Sequence, residues 1–195
     1  SREVDAGHYQ AEYLANYFKE QGKSEIKYIL LNGQIGNDST TNRTIGVLEG
    51  LESAGITAIE ASAPLAAEWD RAEAMNMISP LLTTTDFDCI ISNNDAMALG
   101  AIEALLSQGI DPKNVPVVGS DATVDGRQAI KDGTLNMTNY QNANGQGFAS
   151  LQAAINLLEG SPVNENTGFD TDADCPYIVW VPYEPVTIDN VADFD

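Results

Sequence analysis

Asp88-Cys89-Ile90-Ile91-Ser92-Asn93-Asn94-Asp95-Ala96-Met97-Ala98-Leu99-Gly100-Ala101 is the stretch that decides the fold class. It opens with a short apolar run and closes with helix-forming residues, and no separate turn lies between them. Such a run, passing at once into a helix, reads as a strand buried on both faces and followed by a crossover. The polar residues Ser92, Asn93 and Asn94 stand where the strand leaves the core, and Asp95 suits the first turn of the next helix. Two roles are open to them: capping the helix, or facing a ligand.

The same alternation recurs outward in both directions. Helical spacing over 6–22 is followed by a strand at 26–31, a helix from about residue 40 to Gly55, and a strand at 56–61. Helix is expected over 68–82, where Pro80 marks a kink or an early end. Beyond the 88–92 strand and the 95–107 helix come strand 115–119, helix 123–131, strand 136–141, helix 143–159, a polar loop at 160–176 and an extended piece at 177–182. Short apolar strands alternating with helices predict an α/β fold, a doubly wound parallel sheet of Rossmann-like type. In such sheets ligands bind outside the carboxyl ends of the strands.

Polar groups gather at those ends. Leu31 runs into Asn32-Gly33-Gln34-Ile35-Gly36-Asn37-Asp38-Ser39, Gly119 into Ser120-Asp121, and Tyr140 into Gln141-Asn142, while Ala61 leads toward Trp69. These ends hold no His or Cys and no closely spaced pair of carboxylates. The inventory suits binding of a neutral polar molecule better than acid–base chemistry. Carbohydrate fits it: Asp, Asn and Arg hydrogen-bond hydroxyls, and an aromatic ring packs on a sugar's C–H face.

Composition narrows the field further. Nine Lys and Arg against 29 Asp and Glu give a net charge of −20, which argues against nucleic acid and against an anionic membrane surface. His8 is the only histidine, which removes a Ser-His-Asp triad and histidine-held zinc. Gly33 and Gly36 complete neither a dinucleotide fingerprint nor a P-loop, so no cofactor is expected. Asp170, Asp172 and Asp174 alternate like the start of a calcium loop, but Cys175 and Val181 stand at its Gly and Glu positions, and no metal is expected. Cys89 reads as a small core residue; spacing alone does not decide whether it pairs with Cys175.

Asn93-Asn94-Asp95-Ala96-Met97-Ala98-x-Gly100-Ala101 and Val115-Pro116-Val117-Val118-Gly119-x-Asp121-Ala122 resemble the type I sugar-binding proteins of bacterial ABC importers, above all the galactose/glucose- and ribose-binding members. The resemblance runs from the first helix through Leu31-x-Gly33, Arg43-Thr44 and Trp69-Asp70 to Val181-Pro182-Tyr183 and Phe194. It implies one lobe of a two-lobe fold that closes on a sugar. Residues 1–141 and 177–195 would form the C-terminal sugar-binding lobe, and 142–176 a crossover helix and loop packed on an absent N-terminal lobe. Carried over by position, it implies ligand contacts at Asn37, Ser39, Arg43, Trp69, Asn94, Asp121 and Gln141. Asn37 and Ser39 depart from the His and Asp of the galactose/glucose type, and Gln141 resembles the ribose type.

The resemblance further implies an extracytoplasmic, non-enzymatic binding protein serving an ABC permease, and in some members a chemoreceptor. Ser1-Arg2-Glu3-Val4-Asp5 has no charged-then-apolar leader pattern. The expectation is therefore a truncated chain whose signal peptide and first lobe are missing. Without that lobe, helix 143–159 would turn Phe148, Leu151, Ile155 and Leu158 to water and drive self-association. The alternative is the effector-binding core of a LacI-type repressor, which shares the fold; repressors usually carry Val-x-Gly-Phe-Asp-Asp where this chain has Val118-Gly119-Ser120-Asp121-Ala122.

Overall fold

The computed structural model describes residues 1–194. In chain order the elements are α1 (Glu3–Glu20), β1 (Glu25–Asn32), α2 (Asp38–Ser53), β2 (Thr57–Glu60), β3 (Leu65–Ala66), α3 (Arg71–Ile78), β4 (Cys89–Ser92), α4 (Asp95–Ser107), β5 (Val117–Val118), α5 (Val124–Asp132), β6 (Thr138–Gln141), α6 (Ala143–Glu159), β7 (Asp170–Thr171), β8 (Val179–Trp180) and β9 (Tyr183–Val186). The chain divides into two compact units. The larger is Glu3–Tyr140 with Pro185–Asp195, and the smaller is Ser1–Arg2 with Gln141–Glu184.

The larger unit is built on a parallel sheet of order β2-β1-β4-β5, with β3 pairing the far end of β1. Parallel bridges Val118 to Met137 and Asp121 to Tyr140 extend it by one further segment. Apolar side chains alternate between the two faces as the strand period demands. Ile26, Tyr28 and Leu30 of β1, with Cys89 and Ile91 of β4, join Leu14, Phe18, Val47 and Leu51 of α1 and α2 in one core. Ile29, Leu31 and Ile90 join Ile78, Met97, Ile102 and Leu105 of α3 and α4 in the other. Burial on both faces is why these strands read as nearly continuous apolar runs.

Several expected boundaries move, each for a local reason. Helix α1 starts at Glu3, since Glu3 and Asp5 place carboxylates in a first turn that favours negative charge. Residues 68–70 lie outside the helix expected there. Glu68 and Trp69 take positive φ angles of 52° and 68°, and Asp70 is the N-cap of α3, accepting from the Glu73 amide at 2.9 Å. The two-residue strands β3 and β7 and the four-residue β9 carry too little periodicity to show in sequence, while β8 falls within the extended piece expected at 177–182. Cys89 is buried and Cys175 partly buried, both as free thiols.

In the smaller unit, α6 ends in a left-handed Gly160 cap. Its Asn156 is buried and donates to the carbonyls of Val163 and Glu165 at 3.0 and 2.7 Å, which shapes the following loop. Strands β7 and β8 pair antiparallel beside it. The apolar face of α6 is open: Phe148 is 54%, Leu151 65% and Leu158 89% exposed. Among the described residues no helix is long and apolar enough to cross a membrane.

Candidate functional site

The carboxyl ends of β1, β4 and β5 and the helices that follow them carry the site of the larger unit. The 92–95 stretch serves structure and site together. Ser92 Oγ donates to the Asn94 carbonyl at 2.7 Å, and Asn93 Oδ1 accepts from the Gly33 amide at 3.2 Å. Asn94 is the N-cap of α4, accepting from the Met97 amide at 3.0 Å, and its Nδ2 reaches the Trp69 carbonyl at 3.5 Å. Capping therefore uses the amide oxygen of Asn94 and leaves it nearly buried, with 8% of its surface exposed.

Asp95 is fully buried and ties down the loop that carries Asp121. Its backbone amide donates to the Ser120 carbonyl at 2.8 Å. Its carboxylate accepts from the Thr138 hydroxyl at 2.6 Å, the Thr123 amide at 2.8 Å and the Thr123 hydroxyl at 3.2 Å. Burial pushes this carboxyl up to about 7 while those donors pull it down. The tie matters because Asp121 and Ala122 sit in succession at φ 109° and 49°, a corner that side-chain-bearing residues adopt only when their surroundings hold them there.

Arg43 is the centre of the site. It projects from α2 and its side chain is 5% exposed. Its Nη1 donates to the Asn93 carbonyl at 2.6 Å and to Asp121 Oδ1 at 3.3 Å; its Nε donates to Glu3 Oε2 at 2.7 Å. The guanidinium carbon lies 5.9 Å from the centroid of the Trp69 ring, within cation–π range. That ring lies over Gly33, where an added Cβ would come within 2.2 Å of it, so only glycine fits at this strand end. Burial pushes the Asp121 carboxyl up to about 6; the Arg43 charge pulls it down and the Glu3 charge adds to the rise.

The structure thus brings Arg43, Trp69, Asn94 and Asp121 together. Ser39 lies one turn upstream of Arg43, and Asn37 caps α2 before it, accepting from the Ser39 amide at 2.8 Å. Asn37 is exposed and Ser39 partly buried. Gln141 belongs to the smaller unit, where its Nε2 donates to the Tyr183 hydroxyl at 2.9 Å. Three residues escaped sequence reasoning: Glu3, the Asn93 carbonyl and the anchoring role of Asp95. Glu3 carried no signal because it lies 40 residues from Arg43 and outside every strand end. Among the described residues no group of three or more His, Cys, Asp and Glu gathers to hold a metal ion. What remains is a buried cation, a raised carboxylate, an amide and an aromatic ring, a set that hydrogen-bonds hydroxyls and covers an apolar face.

Residues 2–162 match the family model described as a periplasmic binding protein domain. The chain is 32% identical over 201 residues to the D-galactose/methyl-galactoside binding periplasmic protein MglB of Haemophilus influenzae, covering 97% of this chain and 58% of that protein. It is 34% identical over 164 residues to the ribose import binding protein RbsB of Salmonella typhimurium, covering 84% of this chain and 52% of that one. Among solved structures, an ABC transporter solute binding protein from Bacillus halodurans with bound myo-inositol superposes with a TM-score of 0.82 at 31% identity, over all of this chain and 61% of that one. The chain therefore spans between half and two thirds of the length of these relatives.

Proposed function

We propose, from the premise that this chain belongs to the periplasmic binding protein domain family, that it is the C-terminal lobe of an extracytoplasmic protein that binds a monosaccharide or cyclic polyol for an ABC importer. The observation that carries this reading is the pairing of buried Arg43 with partly buried Asp121 beside the Trp69 ring, at the carboxyl ends of a parallel sheet. Asp121 accepts from ring hydroxyls, Arg43 and Asn94 donate, Trp69 covers a C–H face, and Asn37 and Ser39 add contacts from the start of α2; Gln141 is a further contact by resemblance alone. The protein holds its ligand and delivers it unchanged to a permease, and in some settings to a chemoreceptor. The −20 charge suits that role and speaks against the repressor alternative.

Titration calorimetry of the full-length protein against myo-inositol, D-ribose, D-galactose, D-allose and xylitol tests it. At least one should bind, and a folded protein that takes up none would overturn the reading. Asp121→Ala should weaken that ligand by about 1.5–3 kcal/mol, against about 1 kcal/mol for Ser39→Ala, because a charged acceptor is worth more than a neutral hydroxyl.

Affinity should also fall in acid. The Asp121 carboxyl is raised to about 6, and the groups that face it are Arg43, Glu3 and the buried Asp95. Only its ionised form is a full acceptor, so binding should be close to maximal at pH 7 and weaken by about tenfold per pH unit below 6. The fold's own preference runs the other way. A carboxyl raised on folding contributes stability that is full below its unfolded value of 3.8 and lost as pH rises through about 6. Asp121→Asn should flatten the acid limb of the binding profile, and an unchanged limb would remove Asp121 from the titration.

Residues 142–176 we assign to a crossover segment whose helix α6 packs on the remaining part of the full-length protein. Its support is the open apolar face of Phe148, Leu151, Ile155 and Leu158. The isolated 195-residue chain should therefore self-associate through that face at moderate salt, where its charges are screened. Leu151→Glu with Leu158→Glu should restore a monomer in light scattering. A strictly monomeric parent chain would contradict the assignment.

A further inference from the structure

We propose that Glu3 is a positioning residue of the sugar site, one that sets the orientation of the Arg43 guanidinium without touching the ligand. The inference rests on the sugar-site reading above and adds to it a residue from a different helix. Glu3 Oε2 accepts from Arg43 Nε at 2.7 Å, with side-chain exposures of 14% and 5%. A pair this shielded is felt far more strongly than one in open solvent. The contact engages the Nε edge of the planar fork, while Nη1 is spent on the Asn93 carbonyl and Asp121. With Nε and Nη1 both held, the plane of the guanidinium is fixed.

The fold goes to some length to deliver Glu3 there. Helices α1 and α2 cross so closely that an added Cβ at Gly7 would lie 2.3 Å from the Arg43 carbonyl oxygen. One at Gly46 would lie 2.1 Å from that of Val4. Two facing glycines thus bring the first turn of α1 onto the stretch of α2 that bears Arg43. Glu3 also lies in the first turn of α1, where a carboxylate is stabilised without the ligand. It is pre-ordered, which is what a residue that holds another one still requires.

The test uses the full-length protein with two readouts. The first is the Arg43 Nε–H resonance in the sugar-free protein. It should be present and protected in the parent, shifted in Glu3→Gln, and lost to fast exchange in Glu3→Ala. The second is calorimetric affinity for myo-inositol, D-ribose and D-galactose at 25 °C. Any of these that binds should weaken about tenfold with Glu3→Ala and by a smaller factor with the isosteric Glu3→Gln, which keeps an acceptor oxygen. A purely structural Glu3 would lower Tm and leave the affinity of the folded protein unchanged, which would overturn the proposal. An Arg43 Nε–H signal unmoved by Glu3→Ala would overturn it equally. If the parent binds none of the three sugars, the resonance alone decides whether Glu3 orients Arg43. Should Glu3→Ala fail to fold, Glu3→Gln decides on both readouts.

Discussion

Arg43→Ala is expected to destabilise the protein by about 3–5 kcal/mol and, in the full-length protein, to reduce the sugar binding proposed above below detection. Removing one partner of a buried ion pair leaves the other charge uncompensated, and that cost exceeds what the pair contributes when intact. Here two carboxylates would be stranded, since Glu3 and Asp121 both contact this guanidinium, at 2.7 and 3.3 Å. The Asn93 carbonyl, which accepts from Nη1 at 2.6 Å, would lose a charged donor as well. Arg43→Lys separates charge from geometry. It keeps the positive charge but loses the planar fork, so it should recover much of the stability and little of the affinity. Denaturant unfolding paired with calorimetry measures both. Arg43→Ala that unfolds within about 1 kcal/mol of the parent would show that the site is more solvated than its burial indicates.

Gly46→Ala should destabilise by about 1–3 kcal/mol or more, against the direction that helix propensity predicts. In an exposed helix interior, replacing glycine by alanine gains about 1 kcal/mol. At Gly46 the new Cβ would stand 2.1 Å from the Val4 carbonyl oxygen and 3.2 Å from the Gly7 Cα, both backbone atoms that cannot swing aside. Accommodating it means prying α1 from α2, and overpacking of that kind carries a cost of this size. The loss should reach the site too. Separating the helices pulls Glu3 away from Arg43, so sugar affinity should fall with stability. Gly147→Ala in α6 is the internal control: nothing lies within 4 Å of its added Cβ, and it should be neutral to stabilising. Thermal unfolding should therefore show a lowered Tm for Gly46→Ala and an unchanged or raised one for Gly147→Ala. A stabilised Gly46→Ala would mean that the two helices lie further apart than described.

The sheet was legible in sequence because its signal is local. The apolar runs 28–31 and 89–91 are buried on both faces, and a strand needs only its own residues to show that. The ends of those strands were legible for the same reason, since Ser92-Asn93-Asn94 follows directly on Ile91 and Gly119-Ser120-Asp121 on Val118. The helix over Ala143–Glu159 was legible from spacing and from the Gly160 stop. The family resemblance pointed to Arg43 and Trp69 as candidate ligand contacts, but not to the conformations they take. Trp69 was expected to begin a helix, and instead it lies in a left-handed corner with its ring against Gly33. That arrangement depends on a contact across 36 residues, beyond the range of any local pattern.

By itself, then, the sequence determined the alternation of strands and helices and the edge where polar groups collect. These follow from residue order, because a strand's period and a helix's cap are written in neighbouring positions. Only the tertiary structure decided that Glu3 holds Arg43, that Asp95 is buried to anchor the Asp121 corner, and that Asn93 contributes a carbonyl rather than its side chain. Each of these depends on how closely two elements approach. That distance is set by the absence of side-chain atoms at Gly7 and Gly46, and by the space that Gly119 and Gly126 leave for the Asp95 carboxylate, and it exists only once the chain is folded.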